Sequence, residues 1–400
     1  MAQARCCPAR FATAAALAGA LEVDPAELER LFLAHAHLGA GAWIEAVRVQ
    51  AAHRMLLGSR GAVWAAGEAC GFPSPSAFRG QFLGATGFSP ASCQALGRPG
   101  VAAGFTLALP AGYRTEDILA YHGRDPLSLS ERVAGQTLAK AMTVAGQAVV
   151  LELAFEVGRA RCRVLAPEPP GPAAMGAIQL RAARMLGLGA DPAGFERSVR
   201  QLAPEACLRQ LAALRPGLRI PLTADVWESL VWAILGQQVN LAFAYTMRRR
   251  LTELCGAPAP LGLRAHPTPA AVAALEPADL KPLQFSRSKA EYVIGLARKT
   301  ADGSLPLEAL PDGSATSAAL RLGAERGIGP WTTHYVLMRG CGFGDCVPLG
   351  DAGLTLALQR QFGLDHRPTA RETAELMAPF APHRSLATFH LWASLKGVPA

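Results

Sequence analysis

The residues with the most chemical content lie between Leu322 and Asp351, in the segment LGAERGIGPWTTHYVLMRGCGFGDCVPLGD. Gly327-Ile328-Gly329 closes one helical segment and Pro330 opens the next. Two glycines around a hydrophobic residue permit a tight hairpin whose backbone can approach a ligand closely. The helix that follows offers free N–H groups and the positive end of its dipole, a seat for a phosphate that needs no side chain. Contacts of that kind position a nucleic acid without reading its sequence. Taken alone, the same residues also describe an ordinary helix–helix turn. Asp351 stands further on, where it opens the helical run AGLTLALQRQF. A helix N-terminus favours a negative side chain, and Asp is also a common N-cap.

These residues need a helical frame, and the pattern from about 191 to 395 supplies one. Residues 225–251 read as one long amphipathic stretch with Val226, Leu230, Ile234 and Leu235 apolar. Shorter helices are expected near 269–276, 287–302, 316–326, 331–339, 351–361, 370–379 and 384–396. Upstream the texture differs. Phe105–Leu109, Ala148–Ala154 and Arg159–Leu165 read as strands, with a turn at Glu156-Val157-Gly158 and a helix over Ala174–Leu186. Residues 11–96 read as short helices. Asp24 and Pro25 mark the second helix of one helix–turn–helix, and a longer helix spans about Ala42–Leu57. A second helix–turn–helix covers Val63–Ala85, turning at Gly71-Phe72-Pro73-Ser74. The expected partition is a tail over 1–10, a helix–turn–helix region over 11–96, a linker over 97–103, a small α+β domain over 104–190 and an all-α domain over 191–400. The fold class is thus multidomain and mostly α, with one small α+β domain.

Composition narrows the function classes. The chain has 400 residues and a formal net charge of +8, which is compatible with a polyanionic partner. Heavy use of Ala, Gly, Pro and Arg with little Lys also matches GC-rich coding, which raises Arg with no function attached. No apolar run reaches the roughly 20 residues that span a bilayer, so no membrane association is expected, and the start MAQARCCPAR lacks a signal-like apolar core. Nine scattered cysteines without a CxxC pair argue against a disulfide scaffold, a zinc site or an iron–sulfur cluster.

The segment around Gly327 and Asp351 resembles the helix-hairpin-helix superfamily of base-excision DNA glycosylases, in which a Gly-hydrophobic-Gly hairpin precedes an essential aspartate. Within it the chain is similar to the AlkA-type 3-methyladenine DNA glycosylase II family. Trp232-Ala233-Ile234-Leu235-Gly236-Gln237-Gln238-Val239 matches that family's AILGQ motif, Lys289-Ala290 its KA segment, and Arg384-Ser385-Leu386-Ala387 with His390-Leu391-Trp392 its terminal RSxA…LW motif. The resemblance covers about Phe105 to Lys396.

Several roles follow from that resemblance. Asp351 is implied as the catalytic carboxylate that offsets positive charge on the sugar as a purine departs. Bifunctional members carry a nucleophilic Lys where this chain has Trp331, so hydrolysis without a lyase step is implied. Trp331, Tyr335, Trp392 and Tyr121 are implied as the pocket for a flat cationic base, and Gln238 as the wedge that fills the stack when the base flips. Gly327, Ile328, Gly329 and Arg384 are implied as phosphate contacts. A monovalent cation on hairpin carbonyls belongs to the family's repertoire, and no other cofactor or metal is implied. Thr333 and His383 depart from the usual Ala and Trp, which leaves that part of the pocket rim open.

Residues 63–93 resemble the second helix–turn–helix of AraC-type regulators, through Gly71-Phe72, Ser74, Ser76, Phe78, Phe82 and Gly87-Phe88-Ser89-Pro90. The whole looks like a fused Ada–AlkA arrangement that lacks its zinc methyl-acceptor domain. Only Cys6 and Cys7 stand where that domain would end, so it is lost or encoded upstream of this start. Residues 1–100 hold eight Arg, no Lys and six acidic residues, a weak balance for a DNA reader. Arg79 is the leading contact candidate, while Glu27 and Glu29 would face phosphate. The expected partner is double-stranded DNA with alkylated bases, with promoter DNA as a second, for a cytoplasmic bacterial monomer associated with the nucleoid through DNA. The competing readings are a transcription regulator of the alkylation response with a degenerate glycosylase domain, and a glycosylase for oxidised bases or mismatched adenine. The missing hairpin Lys and four-cysteine cluster count against the last.

Overall fold

The computed structural model describes residues 1–98, 104–203 and 206–395. The expected linker falls outside the described residues from 99 to 103, as does Lys396. The chain divides into two compact units, one of residues 1–111, 119–189 and 252–267, the other of 112–118, 190–251 and 268–400.

In the first unit, side-chain caps set the helix boundaries. Asp24 Oδ1 accepts from the Ala26 and Glu27 amides at 2.8 and 3.3 Å, and Pro25 occupies the first helical position of Pro25–Ala36. Ser74 caps Pro75–Thr86 in the same way. Both helix–turn–helix pairs pack on the helix Ala40–Gly58, whose Trp43, Ile44, Val47, Val49, Ala52 and Leu56 are buried. Such wide burial explains why this helix shows no single apolar stripe. The acidic residues of Pro25–Ala36 have other partners than phosphate. Glu29 Oε2 accepts from the Ala40 amide at 2.9 Å and so caps the central helix, and Glu27 pairs with Arg30 at 2.6 Å.

The sheet of this unit is antiparallel, with strand order β1-β5-β4-β3-β2 for β1 Gly104–Ala108, β2 Glu131–Ala134, β3 Thr137–Val144, β4 Gln147–Glu156 and β5 Arg159–Leu165. β2, β3 and the helix Thr115–His122 were not anticipated from sequence. β3, TLAKAMTV, is buried along nearly its whole length and so has no period-two alternation to read. Its Lys140 stays buried because Glu131 Oε1 accepts from Nζ at 3.1 Å. The segment 252–267, which the linear partition places among the C-terminal helices, lies against the sheet, with Leu263 buried among Ala139, Ala141 and Val150.

The helix–turn–helix region and the sheet share a core. Gln179, fully buried on the helix Pro172–Met185, faces His53 Nε2 across 2.9 Å with its Oε1 and donates from Nε2 to the Thr86 carbonyl at 3.0 Å. At Gly176 of the same helix an added Cβ would lie 2.3 Å from Leu57 Cδ1, so the two helices cross where there is no side chain.

The second unit is helical among its described residues. Its centre is Val226–Gly236, where every residue from Val226 to Leu235 is buried. The continuous helix expected over 225–251 is broken after Gly236. Gln238 adopts the left-handed region at φ +54°, and Asn240 Oδ1 accepts from the Phe243 amide at 2.9 Å to start Leu241–Cys255. A side-chain cap inside an apolar-periodic run reverses the expectation, because periodicity persists across the break. The short helices Pro192–Arg200, Cys207–Leu214 and Pro277–Leu280 were also not anticipated.

Candidate active site

The hairpin lies between Ala315–Gly323 and Pro330–Val336. Gly327 is required twice over. Its φ is +89°, and an added Cβ would sit 2.4 Å from ring carbons of Tyr292. Gly329 is extended and has open space where a Cβ would go, so only backbone approach to a partner calls for glycine there. Ile328 is buried between them. Gln237 Nε2 donates to the Gly327 carbonyl at 2.9 Å and to Thr332 Oγ1 at 3.0 Å, which ties the hairpin to the break after Gly236. One lone pair of a hairpin carbonyl is thereby engaged. The hairpin, Gln237, Gln238, Ser286, Ser288, Lys289 and Tyr292 line an open polar hollow of about 450 Å³. Lys289 Nζ donates to the Leu235 carbonyl at 2.7 Å, a cation at the end of the central helix, and burial lowers its pKa. Gly327→Ala should destabilise the second unit by about 1–3 kcal/mol in urea titrations, from the left-handed backbone alone.

Asp351 is the N-cap of Ala352–Phe362, and its Oδ1 accepts from the Leu354 amide at 2.7 Å. The same oxygen accepts from Trp392 Nε1 at 2.9 Å, and Oδ2 accepts from Trp331 Nε1 at 3.0 Å. Trp331 and Tyr335, one helical turn apart, stack at 5.4 Å between centroids, and Tyr335 lies 6.3 Å from the Trp392 ring. The carboxylate and three of the four expected pocket aromatics thus form one half-buried cluster. Sequence reasoning gave the indoles only a stacking role. Their N–H groups were the missed signal, since an indole is a donor without acceptor capacity and needs an acceptor when packed.

The approach to Asp351 is tied down by the helix that carries Trp392. Arg384 donates from Nε and Nη2 to Asp345 Oδ1 and Oδ2 at 2.7 and 2.6 Å. The Cys346 amide donates to Ser385 Oγ at 2.9 Å, and that hydroxyl donates to the Phe343 carbonyl at 2.8 Å. His334 Nδ1 accepts from the Val347 amide at 3.3 Å, which leaves its proton on Nε2, and burial lowers its pKa. Thr333 is buried, and His383 meets Phe195 edge-on at 6.4 Å.

The remaining expected residues lie apart from this cluster or in the other unit. Gln238 is exposed on the left-handed turn. Tyr121 belongs to the first unit, where Arg124 stacks on its ring at 3.7 Å from the centroid. Arg79 is exposed on Pro75–Thr86, on a face otherwise formed by Ser76, Gly80, Leu83 and Gly84. Among the described residues no cluster of His, Cys, Asp and Glu could hold a metal, and no helix is long and apolar enough to cross a membrane.

Residues 231–382 match the family described as HhH-GPD superfamily base excision DNA repair protein, and residues 17–95 match the helix-turn-helix domain family. A DNA-3-methyladenine glycosylase of Bacillus subtilis (strain 168) is 37% identical over 179 residues, 44% of this chain and 59% of that protein. A protein of Mycobacterium tuberculosis named probable bifunctional transcriptional activator/DNA repair enzyme AlkA is 36% identical over 54% of this chain and 42% of its own length. The chain therefore spans about half the length of these curated relatives. The solved structure of a 3-methyladenine DNA-glycosylase from Archaeoglobus fulgidus superposes with a TM-score of 0.64 over 73% of this chain and 98% of that one, at 22% identity, a likeness of fold.

Proposed function

Because residues 231–382 belong to the HhH-GPD superfamily of base excision DNA repair proteins and residues 17–95 carry a helix-turn-helix domain, we propose that this chain is a monofunctional glycosylase for alkylated bases in duplex DNA. The observation that carries this reading is the Asp351 carboxylate held by the Trp331 and Trp392 indoles beside Tyr335. An N3- or N7-methylated purine is already cationic, so little acid catalysis is needed to expel it. The lesion is flipped from the stack, its flat cation meets aromatic faces worth about 0.5–2 kcal/mol each, and Asp351 offsets the positive sugar while water attacks. No amine stands at position 331, so no Schiff base forms.

The hairpin 327–329 seats a DNA phosphate, and Gln238 enters the gap left by the base. Arg384 would reach phosphate only with the edge that Asp345 does not occupy. In the helix–turn–helix region Arg79 contacts DNA, promoter DNA included. An intact carboxylate cluster weighs against a degenerate glycosylase domain serving a regulator alone.

The test is to incubate the full chain with duplex DNA carrying N3- and N7-methylpurines and to assay released bases by chromatography. Free 3-methyladenine is expected, with abasic sites that break only on alkali treatment. Strand breaks without alkali would overturn the monofunctional reading, and binding without base release would overturn the enzyme reading.

A further inference from the structure

We infer that Arg384 and Asp345 form a clamp that positions Asp351 against Trp392, so that Arg384 acts through the catalytic carboxylate and not through a DNA phosphate. This rests on the reading of Asp351 given above.

The segment from Phe343 to Gly350 delivers Asp351 and has no regular structure of its own. It is fastened to the helix Arg384–Ser394 at two places, and Val347 adds a tie to His334 on the helix Pro330–Val336. At the near end Arg384 makes its fork to Asp345, whose side chain is only 7% exposed, and the Arg384 amide donates to Oδ1 of the same carboxylate at 3.2 Å. Ser385 continues the attachment, its amide donating to the Gly344 carbonyl at 3.0 Å and its hydroxyl bridging Phe343 and Cys346. At the far end Trp392 Nε1 holds Asp351 Oδ1 at 2.9 Å. A helix rises about 1.5 Å per residue, so Arg384 and Trp392 are anchors about 12 Å apart on a rigid ruler. The loop between Asp345 and Asp351 is tied at both ends to that ruler. Loosening the first tie leaves the loop held only by the Ser385 bonds and the Val347–His334 bond, and Asp351 then loses its tight register with the indole.

The ion pair is also poorly placed to be spent on DNA. A buried carboxylate stripped of its partner is strongly unfavourable, so a phosphate that drew Arg384 away would leave Asp345 uncompensated. An arginine fork fits a carboxylate in two bonds, and a lysine does not reproduce it.

Arg384→Lys, Arg384→Ala, Asp345→Asn and the double variant Arg384→Ala/Asp345→Asn separate the readings. The measurements are single-turnover base release at saturating protein, duplex affinity across a salt series, and thermal melting. Positioning predicts release slowed by about 10- to 100-fold in each single variant, Lys included, with affinity and its salt slope unchanged. It also predicts a double variant no slower than the worse single one. A phosphate contact predicts unchanged release at saturation, a salt slope reduced by about 1 in Arg384→Ala, and near-normal behaviour in Arg384→Lys. That result overturns the clamp, as does a lower melting temperature with unchanged release. Wild-type protein that releases no base would sink the proposed function itself. Active wild type with unaffected variants would sink only the clamp.

Discussion

Asp351→Asn should slow single-turnover release of 3-methyladenine by about a thousandfold while leaving duplex affinity nearly intact, a loss of about 4 kcal/mol of transition-state stabilisation. The substitution keeps the size and shape of the side chain and removes its charge. Asn remains a good N-cap, so Ala352–Phe362 keeps its first turn and stability changes by only a few tenths of a kcal/mol from that source. Three N–H groups converge on the carboxylate, from Trp331, Trp392 and Leu354. An amide can serve only those facing its oxygen. If that oxygen takes the place of Oδ1, its NH₂ confronts the Trp331 N–H, donor against donor. The variant therefore loses both charge and one fixed indole. Asp351→Ala also removes the charge, but takes away the acceptors of both indoles and the cap on Leu354 as well. Equal defects in the two variants, despite the greater loss of positioning in Asp351→Ala, assign the effect to charge. Undiminished release in Asp351→Asn would remove the carboxylate from the mechanism.

What the sequence made legible follows from what kind of signal each feature leaves. The hairpin and Asp351 were readable because glycine and an N-cap aspartate are punctuation with a local cause. Gly327 bears this out with its positive φ and the Tyr292 ring against it. The convergence of Trp331, Tyr335 and Trp392 was legible only through resemblance, because Trp392 follows Trp331 by 61 residues and no periodicity links them. The indole bonds to Asp351 were not foreseen, nor was the Arg384–Asp345 fork. Both are long-range pairings between polar atoms that each have several conceivable partners. The strand β3 escaped because burial on both faces erases alternation, and the break at Gln238 escaped because apolar spacing runs through it. Gln179 shows the same limit. A lone glutamine in an apolar helix gives no hint that it bridges His53 and the Thr86 carbonyl, and so joins the helix–turn–helix region to the sheet.

The helix that carries Trp392 should also make the second unit acid-labile, by about 3 kcal/mol between pH 7 and pH 4 through His390. This ring is 2% exposed and stacks on Phe195 at 5.0 Å between centroids. Burial, then the nearby charges of Arg215 and Arg114, push its pKa down to about 3, against a weaker pull upward from its bond to the Leu211 carbonyl. Asp117 pairs with Arg215 at 3.0 Å and also with Arg114, which Glu116 meets at 3.2 Å, so these two cations are matched by two carboxylates and burial remains the main cause of the shift. The sign follows from the two states. In the unfolded chain a histidine takes up its proton near pH 6.5, whereas the folded ring stays neutral until about pH 3. Above pH 6.5 neither state is protonated and stability is unaffected. As pH falls below 6.5 the unfolded state alone gains a proton, so stability is lost steadily until the folded pKa is reached. His334 and His383, both lowered first by burial, add in the same direction. Replacing His390 by Phe keeps the ring against Phe195 and abolishes the titration. The variant should lose about 1 kcal/mol at pH 7, for the lost bond to the Leu211 carbonyl, which keeps the Arg215 amide as a donor at 3.2 Å. Its further loss on going to pH 4 should be about 3 kcal/mol smaller than that of the wild type. Urea titrations followed by tryptophan fluorescence suit this comparison, because four of the six tryptophans, Trp227, Trp232, Trp331 and Trp392, lie in the second unit, and a Trp43→Phe/Trp64→Phe background removes the first unit's signal from both proteins. Parallel pH dependence in the two proteins would show that His390 is not the group whose protonation unfolds this unit.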